Sequence, residues 1–183
     1  MTTIFPVHTK ESATPEGRQA LERLQGAVGV IPNLAGAMAE SPALLNAFLD
    51  LRERYAQTGF SDAEIQILSL VSAFENGCRF CVAFHTAMAL KAGVAPESVD
   101  RLRHGQSPLD TRSAALSEYG RLMVKQRGRA GADALKTFLA AGFTKEQALN
   151  VVLGLAFSVL ANYSGHLTEA PIDAFLEPHA WKP

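Results

Sequence analysis

Apolar residues recur along this chain at intervals of three and four. Ile65, Leu68 and Val71, with Ser72 beside them, share one such face, and Leu116, Tyr119, Leu122 and Met123 share another. The stretch from Lys145 to His166 is apolar nearly all round, which predicts a helix buried centrally or in a subunit interface. No segment alternates cleanly over five or more residues, and the one Asn-Gly pair, Asn76-Gly77, follows a helical pattern rather than joining two strands. Helix starts are well marked. Thr14-Pro15 and Ser41-Pro42 each place a capping side chain before a proline at the first helical position, and the second helix is expected to run on to Gly59. Ser61 to Glu64 and Thr144 to Gln147 read as capping boxes. Gly93 closes one helix and Pro96 opens the next. Further helices are expected over Arg112 to Gln126 and Ala132 to Ala140. The count is about eight helices and no sheet, an all-α bundle forming one domain over residues 1–183.

Composition narrows the functional classes. A chain of 183 residues, 48% hydrophobic and 19% charged, is a folded globular protein rather than a disordered one. Seventeen basic and eighteen acidic residues leave a net charge of −1, with no concentration of Lys and Arg to grip nucleic acid. Arg101, Arg103, Arg112, Arg121, Lys125, Arg127 and Arg129 read as a solvated helix face. The N-terminus shows no charged start followed by an apolar core, so no secretory signal is read. The longest apolar run, Ala148 to Ala161, falls short of the roughly 20 residues a bilayer span needs. The expected setting is soluble and cytoplasmic, with no membrane partner.

The chemistry concentrates in "ENGCRFCVAFH", Glu75 to His85, which holds both cysteines of the chain. In a reducing cytosol such a pair points to redox or metal chemistry rather than a structural disulfide. On a helix, Cys78, Cys81 and His85 fall at i, i+3 and i+7, one face, with Cys81 and His85 a direct i, i+4 pair. Gly77 suits a left-handed helix end, which puts Cys78 in the first turn of the following helix, where backbone N–H groups favour a thiolate. The spacing permits disulfide closure. Neutral His85 is suited to take a thiol proton and return it to a leaving oxygen. Glu75 is a candidate to orient that imidazole or relay protons, and Gln66 is a neutral hydrogen-bonding candidate. Two other readings stand beside the dithiol. One is a pair of inert buried cysteines. The other is a zinc site, for which the motif supplies three ligands and His166 or Glu75 would have to supply the fourth.

"ENGCRFCVAFHTAMALKAG" resembles the motif of the alkylhydroperoxidase D-like proteins of the carboxymuconolactone decarboxylase superfamily, Glu-x-x-Cys-x-x-Cys-x-x-x-His in a helical hairpin. "IPNLAGAMAESPALLNAFLDL" is similar to the family's entry segment, and "VLANYSGHLTEAPID" to the closing segment of its peroxidase-related branch. The resemblance spans about Ile31 to Asp173. It implies an all-α homo-oligomer, a trimer or hexamer, with no cofactor. It also implies reduction of a hydroperoxide by a dithiol that an external thiol donor regenerates. It makes Cys81 the peroxidatic residue, Cys78 the resolving one, and His85 part of the proton relay. Two positions depart from the common pattern. Gln66 stands where many members carry a relay glutamate, leaving Glu75 as the nearest carboxylate, and Phe80 stands where many have histidine. The expected function is a thiol-dependent peroxidase. The alternative is an oligomeric redox sensor or thiol–disulfide reductase without efficient peroxide turnover.

Outside the motif, His166 reads as a cap for the C-terminus of its own helix or as a neighbour of the dithiol. His8, His104 and His179 read as surface residues. Trp181 suggests a tail docked on its own or a neighbouring subunit. Phe74, Phe80 and Phe84 are expected to pack the core or to line an apolar channel.

Overall fold

Capping side chains open most of the helices in the computed structural model, which describes residues 4–182. Helix α1 (Pro15–Val28) begins where Thr14 accepts from the Gly17 N–H. The short α2 (Asn33–Met38) follows, and α3 (Pro42–Tyr55) is capped by Ser41. Both expected capping boxes are formed, opening α4 (Asp62–Glu75) and α9 (Lys145–Thr168). Between them lie α5 (Arg79–Lys91), α6 (Pro96–Arg103), α7 (Thr111–Lys125) and α8 (Ala132–Ala140). A 3-10 turn, Ala174–His179, comes last. No strand occurs among the described residues, and the all-α bundle is as expected.

One boundary and one element differ materially from the sequence reading. The third helix stops at Tyr55, where Thr58 Oγ1 donates to the Tyr55 carbonyl, and Gly59, at φ +73°, turns the chain into α4. Helix α2 was not expected, because six residues are too few for a periodicity to show. The count is accordingly nine α-helices among the described residues instead of about eight.

Helix α4 is the centre of the bundle. It packs on α5, α7 and α9, and Leu68, Leu70 and Val71 are buried there beside Val82, Leu116 and Val151. Gly120 of α7 lets that helix approach closely, since a Cβ there would run into the Leu68 side chain. Helix α9 has 24 residues, so it is about 36 Å long and long and apolar enough to cross a membrane by length and composition alone. The apolar run read from the sequence is shorter than the helix that carries it. In the fold α9 lies across α2, α3 and α4 with Val151, Gly154, Phe157 and Ala161 facing inward. Its outer face leaves Leu149, Val152, Tyr163 and Leu167 exposed.

The basic scatter is only partly a solvated face. Arg121 is buried, Arg112 stacks over the Phe143 ring at 3.8 Å, and Arg103 donates to the carbonyls of His179 and Ala180. Those last bonds hold the tail. Trp181 Nε1 donates to the Arg103 carbonyl at 3.0 Å and the indole packs edge-on to Phe74, so the tail docks on its own chain. Among the remaining histidines, His104 is exposed, whereas His8 is partly buried against Glu40 at 2.7 Å.

Candidate active site

The turn between α4 and α5 builds the dithiol. Asn76 ends α4, and Gly77, at φ +67°, takes the left-handed conformation. The Gly77 N–H bonds the Phe74 carbonyl and the Cys78 N–H bonds the Ala73 carbonyl, the pair of bonds that defines a Schellman motif. Cys78 is also the N-cap of α5, its Sγ accepting from the Cys81 N–H at 3.3 Å. One cysteine therefore closes one helix and opens the next. Gly165 of α9 leaves room for it, since a Cβ there would lie 3.0 Å from Cys78 Sγ.

Cys78 and Cys81 are free thiols, each 2% exposed, with their sulfurs 2.7 Å apart. Protons leave such a pair as a unit. The first charge settles on Cys78, which the Cys81 side chain and the backbone N–H groups of Cys81 and Phe80 hold below the usual thiol range against the effect of burial. Cys81 is pushed well above that range by the adjacent Cys78 sulfur and by burial, while the side chain of Asn162 acts in the opposite sense.

His85 lies on the same helix, buried, and burial lowers its pKa to about 4. Its Nδ1 lies 2.9 Å from Gln66 Oε1. With that carbonyl oxygen as acceptor, Nδ1 carries the proton and Nε2 presents a lone pair. Gln66 thus fixes the tautomer, a task that needs no carboxylate.

Glu75 is not brought to the imidazole. Its side chain is buried in an ion pair with Arg121 Nε at 3.0 Å, and Lys125 Nζ lies 3.4 Å from its other oxygen. Arg121 also reaches Glu118 and Ser107. His166 caps a helix, but not its own: its Nε2 lies 2.7 Å from the Asn76 carbonyl at the end of α4. Neither side chain completes a metal site, and among the described residues no three His, Cys, Asp or Glu groups converge to hold one. Asn162 was missed as a site residue. The only signal in the sequence was an amide within an apolar helix; in the fold it is fully buried and meets Ser72 Oγ at 3.2 Å and Asn76 Nδ2 at 3.0 Å.

The two cysteines border different spaces. Cys81 and His85 open onto an apolar cavity of about 90 Å3 walled by Phe80, Phe84, Phe157 and Met38. That cavity shares Arg52, Phe84 and His85 with a larger outer space of about 320 Å3. Cys78 instead borders a polar cleft of about 440 Å3, with Arg79, His166 and Glu169 around it.

Residues 42–117 match the carboxymuconolactone decarboxylase family. No curated protein matches the chain in sequence. Among solved structures, a peroxidase-related protein with an alkylhydroperoxidase AhpD core, from Ralstonia eutropha JMP134, superposes with a TM-score of 0.80 at 19% identity over 95% of this chain and 94% of that one. A peroxidase-related protein from Silicibacter sp. TM1040 gives 0.79 at 19% identity over 94% and 92%. The debrominase Bmp8 gives 0.81 at 15% identity over 98% and 97%, and a cysteine-to-alanine variant of it is known in complex with 2,3,4-tribromopyrrole. The resemblance read from the motif therefore holds for the fold, which is AhpD-like and all-α, with residues 42–117 similar to the carboxymuconolactone decarboxylase family.

Proposed function

We propose that the protein is a thiol-dependent peroxidase for apolar organic hydroperoxides. The observation that carries this reading is the separation of the two sulfurs, with Cys81 beside His85 on an apolar cavity and Cys78 on a polar cleft. The Cys81 thiolate attacks the distal oxygen of ROOH, the O–O bond breaks, and the alkoxide takes up a proton, giving Cys81 sulfenic acid and ROH. Neutral His85 takes the thiol proton at Nε2 and returns it to the leaving oxygen. Cys78 then displaces water from the sulfenic acid and forms the disulfide. Two thiol groups of a small external donor, arriving through the polar cleft, reduce it by exchange and become a disulfide themselves.

The test counts free thiols on reduced protein before and after one equivalent of hydroperoxide. The expected result is loss of both thiols in wild type, a trapped sulfenic acid in Cys78→Ser, and faster reaction with cumene hydroperoxide than with hydrogen peroxide. Sulfenic acid in Cys81→Ser instead would reverse the two roles. Intact thiols in every variant would overturn the reading.

The apolar, phenylalanine-walled cavity also favours a second substrate class, a flat halogenated aromatic, as in the debrominase that shares the fold. There the dithiol would supply two electrons, releasing halide and leaving the ring carbon bonded to hydrogen. Bromide release that depends on both cysteines, without peroxide consumption, would select this reading over the first.

A further inference from the structure

Asn162 projects from the inner face of α9 and is fully buried. Its carbonyl oxygen is engaged twice, by Ser72 Oγ and by Asn76 Nδ2. Both donors belong to α4 and its last turn, so the amide plane is pinned with its nitrogen turned away from them. That Nδ2 has no hydrogen-bond acceptor among the described residues. Unpaired buried donors are uncommon in folded proteins, and a redox or catalytic role is one of the reasons they persist. On α9 Asn162 stands one turn before Gly165, where a Cβ would lie 3.0 Å from Cys78 Sγ, and its side chain acts to hold the Cys81 pKa down.

We propose that Asn162 is the hydrogen-bond donor for the ionised sulfur of Cys81, aimed by Ser72 and Asn76 and engaged only when charge arrives there. A neutral thiol is a weak acceptor, whereas a thiolate is a strong one. The bond therefore strengthens as the sulfur ionises. This answers a difficulty in the dithiol itself, where the first negative charge settles on Cys78 while Cys81 sits beside His85 on the cavity. A donor reaching Cys81 from α9 offsets part of that bias and eases ionisation of the sulfur beside the imidazole. The titratable and charged groups around Cys81 are Cys78 and His85 on its own segment, and Arg52 of α3 across the cavity. Gln66 and Ser72 of α4 are neutral, which leaves Asn162 as the directed donor from α9. The catalytic use of this donor rests on the peroxidase reading above, but the donor role itself does not.

The experiment isolates one thiol. In a Cys78→Ser background, the ionisation of Cys81 is followed by thiolate ultraviolet absorbance and by the pH dependence of iodoacetamide alkylation. Asn162→Asp keeps the oxygen that Ser72 and Asn76 need and removes the N–H, while Asn162→Leu removes the N–H without adding charge. Both are expected to raise the midpoint by about one to two pH units, and alkylation at neutral pH is expected to slow severalfold or more. Ser72→Ala keeps the donor but loosens its aim, and is expected to give a smaller rise in the same direction. A midpoint unchanged in Asn162→Leu overturns the proposal, even if Asn162→Asp raises it through its charge. Should Asn162→Leu fail to fold, an unchanged midpoint in Ser72→Ala overturns it. A raised midpoint in a protein that ignores peroxide would retain the donor and discard the peroxidase. Peroxide turnover with an unmoved midpoint would do the reverse.

Discussion

At neutral pH the imidazole of His85 carries no charge, because burial holds its pKa at about 4. An unfolded chain would protonate the same ring near pH 6.5. Between these values the unfolded state binds the extra proton, so the stability His85 contributes is complete above about pH 6.5 and is lost as pH falls towards 4. The loss is on the order of 3 kcal/mol. Urea unfolding at pH 7 and pH 4.5 should therefore show a steeper acid loss in wild type than in His85→Phe. Gln66→Glu places a carboxylate on Nδ1 and should move the His85 midpoint up towards 6.5 or beyond, read by NMR of the ring protons. Glu75 makes the opposite kind of prediction. Its side chain and that of Arg121 are 7% and 10% exposed. Glu75→Gln should therefore destabilise the fold by about 3 kcal/mol, as breaking a buried pair does, which a thermal melt would register. The Cys78, Cys81 and His85 stripe was legible because all three fall within two turns of one helix. The partners were less so. Arg121 is 46 residues from Glu75, and Asn162 is 86 from Asn76, so nothing local signals either meeting.

The starts of the expected helices were legible to within a residue, α7 opening at Thr111 rather than Arg112, since a cap is a local pattern in which a side-chain oxygen stands three positions before the N–H it satisfies. Ends were less exact, as α3 shows, because the last turn is shaped by what it packs against. The α4–α5 junction is the element where local pattern and chemistry coincide. Gly77 is there for its positive φ, and Gly77→Ala should cost about 1 kcal/mol for that reason. The same substitution strains the turn that places Cys78 over the Cys81 N–H. Slower disulfide closure, timed by stopped-flow after oxidation, should accompany the lower melting temperature. The α2 segment and the 3-10 turn fell below what periodicity can resolve, since each is six residues long.

For the molecule as a whole, the expected homo-oligomer has a face to form on. Leu149, Val152, Tyr163 and Leu167 run the length of α9 at helical spacing, with Leu149 73% and Leu167 69% exposed. Exposed apolar residues sharing one helix face mark an association surface when they form a patch of sufficient area. Tyr163→Glu with Leu167→Glu should reduce the assembled mass measured by light scattering behind gel filtration, and a monomeric wild type would remove that assignment.

The placement of the two sulfurs has a kinetic corollary. A dithiol enzyme alternates between oxidant and reductant, and when both enter by one door each competes with the other, so excess of either slows turnover. On the proposed reading, the oxidant would meet Cys81 from the apolar side and the donor Cys78 from the polar side. Steady-state plots should still give the parallel lines of a substituted-enzyme mechanism. On that reading, high donor concentrations should leave the apparent KM for hydroperoxide unraised, because each reactant would have its own antechamber to one bond.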